Sequence, residues 1–376
     1  MSDGQAPRDG QAPRDGQAPR DGQAPRDGQA PGGSCAPRGS AEPLDTVYDV
    51  ALLDLDGVVY LGGSAIPGAA EALRKAGAAG MRLAYVTNNA FRTPAAIAAL
   101  LTSFGVPAAP RDVVTSAQAA ARLLAERLPA GAPVLVIGGS GLRMALRERG
   151  LRPVSTADDQ PLAVVQGYSP DVSYSMLAEG GLAVAAGALF VASNADLTLP
   201  SRRGRQPGNG SLIQVVATAT GVRPLVAGKP EPPLHEESVL RTGARHPLVV
   251  GDRLDTDIEA AHRVGADSLL VLTGVTGAAE AVLAPPTQRP TYLAEDLAGL
   301  LEPHPGITET EAGFGCRGWT ARRDGDRLDL AGDGERIDGL RALCAAAWSA
   351  DNGQKGTEGV NAESLHAAIE RLGGTG

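Results

Sequence analysis

One recurring arrangement restricts the fold of this chain more than any other. An apolar run of three or four residues stops at a polar cluster, and a stretch of helical length follows. Residues 50–53 stop at Asp54-Leu55-Asp56-Gly57, residues 83–86 at Thr87-Asn88-Asn89, and residues 248–250 at Gly251-Asp252. Similar runs occupy 134–137, 163–165, 189–192 and 269–272. Runs this short, bounded by turn residues, are strands buried on both faces. Between them, residues 69–79, 94–104 and 117–127 read as helices; Gly80 ends the first, Gly105 and Pro107 the second. Strands alternating with helices dictate an α/β fold with a Rossmann-like, doubly wound parallel sheet. Ligands of such sheets bind beyond the carboxyl ends of the strands, where the polar clusters fall.

Composition narrows the class. Of 376 residues 43% are apolar but only 3% aromatic, so the core is built from Ala, Leu and Val. The length suggests two or three domains. A net charge of −9 gives no long-range attraction to nucleic acid or to an anionic membrane. No apolar run approaches the roughly 20 residues of a membrane helix. Cys35, Cys316 and Cys344 are too scattered for a disulfide framework or a zinc site. The N-terminus has no apolar signal-like region, and a cytoplasmic protein is expected. Four copies of Asp-Gly-Gln-Ala-Pro-Arg run from Asp3 to Arg26. They offer no large apolar residue for stacking, so residues 1–45 are expected to be a disordered tail. Beyond Leu301, Pro303-His304-Pro305-Gly306 reads as a linker. A hairpin around Asp324-Gly325-Asp326 and helices at 336–348 and 362–372 then form a small α/β module, with Trp319 and Trp348 in its core.

Each polar cluster has a chemical and a local reading. Asp54 and Asp56, two apart at a strand end, can share one space, one as nucleophile and one moving protons; Gly57 permits the tight turn. A solvated Asp-rich turn is the alternative. Thr87 and the N–H groups after it suit a phosphate oxygen, or else an Asx turn or helix cap. Lys229, between Gly228 and Pro230, is a fixed ammonium or an ordinary surface lysine. Asp252, Asp255 and Asp257 form a hard-oxygen cluster suited to Mg²⁺, with capping by Asp255 or Thr256 as the alternative.

Taken together, in the order Asp pair, Thr, Lys, Asp cluster, these signals resemble the four motifs of the haloacid dehalogenase superfamily of phosphohydrolases. The resemblance spans about 47–300. It implies that Asp54 attacks phosphorus to form an aspartyl-phosphate and that Asp56 is the general acid, then base. It implies Mg²⁺ on Asp54, the backbone carbonyl of Asp56, and Asp252. Thr87 and Asn88 would bind phosphate, Lys229 would neutralise charge, and Asp257 would support Lys229 or metal-bound water.

The layout resembles the nitrophenylphosphatase, phosphoglycolate phosphatase and pyridoxal phosphatase subfamily, because a cap fits only between Thr87 and Lys229. The implied domains are a core of 46–130 and 224–301, a cap of 131–223 and a module of 302–376. Gly138-Gly139-Ser140-Gly141-Leu142, Ser193-Asn194-Ala195-Asp196, Pro207-Gly208-Asn209-Gly210 and Arg289-Pro290-Thr291-Tyr292 agree with that subfamily. Asn194, Asp196 and Arg202 either face the leaving group or, for the first two, stabilise a cap turn. Arg92 either touches substrate or is solvated. Two departures, Ser169 where relatives often place Asp and Ser193 in place of Thr, bear on substrate and not on chemistry. The module resembles an acetyltransferase-like domain appended in actinobacterial members, which look like glycerol 3-phosphate phosphatases. It lacks a Gly-rich acyl-CoA loop and is expected to dock or dimerise.

The implied activity is Mg²⁺-dependent hydrolysis of a small phosphomonoester, glycerol 3-phosphate first. 2-Phosphoglycolate, sugar phosphates and pyridoxal phosphate follow, and a non-catalytic scaffold is the reading from another class. The expected partners are that small molecule and a second copy of the chain.

Overall fold

The computed structural model describes residues 36–199, 203–349 and 357–373. The repeats, Cys35 and Arg202 lie outside the described residues. The central sheet has six parallel strands in the order Tyr292–Ala294, Asp267–Val271, Pro247–Gly251, Val50–Leu53, Arg82–Thr87, Val113–Thr115. Val50–Leu53 is buried at every position, as its unbroken apolar run requires. The chain leaves this strand toward Arg82–Thr87 on one side and later returns to Pro247–Gly251 on the other. Their carboxyl ends therefore converge at a topological switch point, carrying Asp54, Thr87 and Asp252 to one crevice.

A second parallel sheet is built from Leu225–Val226, Leu189–Ala192, Ala163–Gln166, Pro133–Ile137 and Arg152–Val154, in that order. It includes Leu225–Val226, past the expected cap boundary at 223. The helices start where the sequence supplies caps. Thr93 accepts from the Ala96 N–H with Pro94 at the first helical position, and Thr115 with Gln118 forms a capping box. The helix Ser116–Ala125 lies in an apolar cluster that joins Leu52, Ala84 and Val86 of the first sheet to Val134, Val136 and Val165 of the second. The two sheets thus share one packed interior.

Two expectations need correction. Residues 36–45, assigned to the tail, belong to the fold. The Arg38 N–H donates to Thr291 O, Ser40 pairs with His304, and Leu44 is fully buried at the start of a short helix, Leu44–Val47. Composition hid this because the segment is held by backbone pairing, one leucine and the Arg38–Asp267 ion pair, all with partners distant in sequence. Residues 303–306 are not a free linker either. His304 is buried, its Nε2 donating to Gly299 O (2.8 Å) and its Nδ1 accepting from Arg341 Nη2 (3.2 Å).

The C-terminal four-stranded antiparallel sheet, Thr308–Thr310 to Arg327–Gly332, turns at Gly325 as the hairpin signal implied. With Arg336–Trp348 it shares a core with Leu254, Ile258, Leu270 and Leu293 of the first sheet's layer. Trp319 and Trp348 are buried in it, and the Trp348 indole donates to Val282 O at 3.1 Å.

His235, on the helix Pro232–Thr242, is 2% exposed, and neither ring nitrogen has a hydrogen-bond partner among the described residues. Burial, reinforced by the nearby Lys229 charge, pushes its pKa down to about 3. The unfolded chain takes up this proton below about 6.5, whereas the folded one does so only near 3. The stability at stake is therefore complete above about pH 6.5 and falls as the pH drops toward 3. Relative to His235→Leu, the wild type should lose about 2 kcal/mol between pH 7 and pH 5. Urea melts at both pH values check this; equal losses in the two proteins would contradict it.

Candidate active site

Lys229 organises the crevice. Its side chain is 4% exposed, and its three N–H donors meet three acceptors: Asp54 Oδ1 at 2.5 Å, Asp257 Oδ1 at 2.7 Å and Val86 O at 3.2 Å. Two carboxylates and a strand-end carbonyl thus surround one ammonium. The surface-lysine alternative is ruled out.

The backbone of Lys229 is held as firmly as its head group. Asn88 Oδ1 accepts from the Lys229 N–H at 2.8 Å, while Asn88 Nδ2 donates to Lys229 O at 3.2 Å and to Asp196 Oδ2 at 3.3 Å. Asn88 O accepts from Ser116 Oγ (2.7 Å) and Asn194 Nδ2 (2.8 Å). The Asn88 amide, expected to bind phosphate, is committed to fixing the Lys229 loop. Asn194 is 5% exposed; its second N–H points to Ser193 Oγ at 3.4 Å and its carbonyl accepts from the Asp196 N–H at 3.2 Å. Its donors are spent within the loops, so it ties the second sheet to the first, in keeping with the cap-turn alternative. Asn209 extends the tie, donating to Asn194 O at 2.7 Å. Asp196 is half-buried beside Asn88 at the edge of the crevice.

Asp252 is fully buried. Its Oδ2 accepts from the Val275 N–H at 2.7 Å, and its Oδ1 has no hydrogen-bond partner among the described residues. Gly57 and Gly274 press against this carboxylate so closely that a Cβ on either would overlap it. Gly57 also sits at φ +91°, so it is required twice over. Thr273 Oγ1 donates to Gly57 O at 2.6 Å and closes the turn. Carboxylate oxygens of Asp54, Asp252 and Asp257 lie within 4.8 Å of one another. Neither Asp255 nor Thr256 caps a helix. Residues Leu254–Ile258 make one wide π turn, in which Asp255 pairs with Arg253 (2.8 Å) and Asp257 Oδ2 accepts from the Arg253 N–H (3.2 Å).

The charges follow from this packing. Burial pushes the Asp54 carboxyl up, to about 8, against the pull of Lys229, with Asp257 and Asp252 adding to the rise. Burial and then Asp257 push Asp252 up to about 6. Burial alone would lower Lys229, but Asp257 and Asp54 outweigh it and hold the ammonium above its ordinary value. Three crowded carboxylates with one cation are short of positive charge. Asp56, exposed at the mouth, has no part in that cluster, and partial desolvation raises its carboxyl from the ordinary value. Thr87 is nearly buried and its Oγ1 accepts from the Asn89 N–H at 3.1 Å, while Asn89 Oδ1 accepts from the N–H groups of Phe91 and Arg92. The Asx-turn reading of this cluster therefore holds, with Thr87 still at the strand end. Arg92 is exposed.

Comparison with known proteins agrees with this geometry. Models of haloacid dehalogenase-like hydrolases match residues 51–152 and 226–300. A D-glycerol 3-phosphate phosphatase from Mycobacterium tuberculosis is 47% identical over 311 residues, 81% of this chain and 86% of that protein. The chain belongs to the haloacid dehalogenase-like hydrolases.

Other relatives cover different shares of this haloacid dehalogenase-like chain. A 5'-nucleotidase from Bacillus subtilis is 41% identical over 61% of this chain and 89% of its own length. The crystal structure of a glycerol phosphate phosphatase from M. tuberculosis in complex with magnesium superposes with a TM-score of 0.79 at 42% identity, covering 88% of this chain and 99% of that one. A p-nitrophenyl phosphatase from Archaeoglobus fulgidus gives 0.63 at 28% identity, over 68% and 98%. The C-terminal module of this hydrolase matches a GCN5-related N-acetyltransferase like domain over residues 316–373. Within the hydrolase site, sequence reading missed Ser116, Thr273 and Gly274, and took Asn209 only as part of a subfamily string. Thr273-Gly274 had a usable signal, being the polar end of the apolar run 269–272. Ser116 opens the helix Ser116–Ala125 and carries none.

Proposed function

We propose that this hydrolase is a Mg²⁺-dependent phosphomonoesterase acting on a small alcohol phosphate, glycerol 3-phosphate first, in the cytoplasm. The observation that carries the reading is the Lys229 ammonium fixed between Asp54 and Asp257 beside the unpartnered Asp252 Oδ1.

That orphaned, buried oxygen in a hard-oxygen donor set fits Mg²⁺, because an isolated buried carboxylate oxygen is costly without a partner. Asp54, Asp252 and the backbone carbonyl of Asp56 would hold the ion, with Asp257 kept for Lys229. When bound, Mg²⁺ supplies positive charge against the phosphoryl oxygens. Asp54 attacks phosphorus, the bond to the alkoxide breaks, and Asp56 donates its proton to the departing oxygen. Asp56, now ionised, takes a proton from water, which attacks the aspartyl-phosphate and frees Asp54 and phosphate. The raised Asp56 carboxyl suits it to start protonated. Lys229 and Thr87 steady the phosphoryl oxygens without reorganising, since both are already held. Asp196 is the cap residue set to meet the leaving group.

Phosphate release from a panel of small phosphomonoesters tests the proposal. Glycerol 3-phosphate should lead, EDTA should abolish turnover, and Mg²⁺ should restore it. Release undiminished by EDTA would overturn the metal; no release from any ester would overturn the phosphatase reading and favour a scaffold. Preference for a sugar phosphate or a nucleotide would move this chain toward its other relatives. A homodimer belongs to the same proposal, and sedimentation of the purified chain tests it.

A further inference from the structure

Away from the crevice, one carboxylate collects three arginines. Glu237, on the helix Pro232–Thr242, is fully buried. Arg149 Nη2 donates to both its oxygens, at 2.7 and 2.9 Å, and Arg241 Nε donates to Oε1 at 2.6 Å. Arg122 Nε stands 3.1 Å from Oε2, off the line of a hydrogen bond. Arg122 in turn binds Glu126 and Glu236, each at 2.6 Å.

These groups come from separate elements. Arg241 is one turn from Glu237 on the same helix. Arg122 is on Ser116–Ala125, between the sheets. Arg149 ends the helix Ser140–Glu148, which follows the first strand of the second sheet. Among the described residues, only the Arg149 pair therefore joins Glu237 to the second sheet's own layer.

Both elements bound by that pair lead to the active site. The Glu237 helix begins directly after the Lys229-Pro230-Glu231 loop. The Arg149 helix begins against the loop after Asn88: the Gly141 N–H donates to Phe91 O at 3.1 Å, and a Cβ at Gly139 or Gly141 would overlap Phe91 or Ala90. Nine residues of helix span about 13 Å. The Arg149–Glu237 pair is thus the far end of a lever whose near end rests on the segment that holds Lys229 and Asp196.

We infer that Glu237 and Arg149 are positioning residues that latch the second sheet onto the first and so set where the cap loop carrying Asp196 stands over the phosphoryl site. This rests on the phosphatase reading. Burial of Glu237 gives the latch its strength: a fully buried carboxylate whose two oxygens both meet one Arg149 nitrogen depends on that charge-assisted contact. Binding contributed by the cap is the same in ground and transition state, so loosening the latch raises KM and spares kcat.

The test is steady-state kinetics on the best substrate of the wild-type panel. Arg149→Met removes the bridge at a half-exposed side chain, and Arg241→Met removes a partner of the same carboxylate without unlinking the sheets. Arg149→Met should raise KM about tenfold with kcat within about twofold, and Arg149→Lys should recover most of it. Arg241→Met should leave KM unchanged even where it lowers the melting temperature. Glu237→Gln should match Arg149→Met, and the double variant should be no worse than either alone. Equal KM for Arg149→Met and Arg241→Met, or an unchanged KM in both, would overturn the latch while leaving the phosphatase intact. A wild type inactive on every ester would overturn the phosphatase reading itself, and the latch assignment with it.

Discussion

Asp54→Asn is expected to lower kcat by at least about 10⁴-fold while leaving the protein folded. The amide is isosteric with the carboxylate but does not attack phosphorus at a useful rate. The fold has no need of the lost charge. Lys229 keeps Asp257 and Val86 O as acceptors, and the cluster loses one of three mutually repelling carboxylates. The sign of the pH effect follows from the same crowding. The Asp54 carboxyl is pushed up to about 8 in the metal-free fold, from an ordinary value of 3.8. Its effect on stability is favourable below about 3.8 and is lost as pH rises through 8. In EDTA at pH 8 the variant should therefore melt at or above the wild-type temperature. Single-turnover phosphate release and thermal melts check both halves. A variant retaining a tenth of the wild-type rate would exclude Asp54 as nucleophile.

Lys229→Met is expected to cost both activity and stability. Methionine keeps most of the apolar length of the side chain but leaves Asp257, 1% exposed, without its cation, and leaves Val86 O without its donor. Removing one partner of a buried ion pair costs about 3–5 kcal/mol. In urea melts without metal the variant should lose that amount, and added Mg²⁺ should return part of it by replacing positive charge. Phosphate release should fall below about 1% of wild type, because the phosphoryl dianion then meets crowded carboxylates with less positive charge to oppose them. A loss under about 1 kcal/mol would mean that water already reaches the cluster and that Lys229 is not the keystone described here.

The chemistry was legible in the sequence because it depends on residue type at strand ends. Asp54, Asp56, Thr87, Lys229 and Asp252 each follow an apolar run or sit in a Gly/Pro-fixed loop, and those local rules alone place them near one crevice. The helices at 69–79, 94–104 and 117–127 were readable within a residue or two, and Thr93 and Thr115 prove to cap the last two. The errors lie where a residue's neighbours come from distant sequence. The resemblance alone gave Asn88 a phosphate role and left Asn194 between the leaving group and a cap turn; here their side-chain amides bond backbone groups of Lys229, Asn88 and Asp196. Residues 36–45 and 303–306 read as tail and linker because each is held by the other's backbone.

The sequence by itself determined the parallel α/β layout, the order of the motifs and the family, since apolar period, turn chemistry and motif spacing are local properties. Only the tertiary structure decided which groups are satisfied and which are left over. It spent Asn88 on Lys229, left Asp252 Oδ1 unpartnered, pressed Gly57 and Gly274 against one carboxylate, and brought Arg122, Arg149 and Arg241 to Glu237. The physical reason is that hydrogen bonding and desolvation depend on neighbours across the fold, and no local pattern encodes those neighbours.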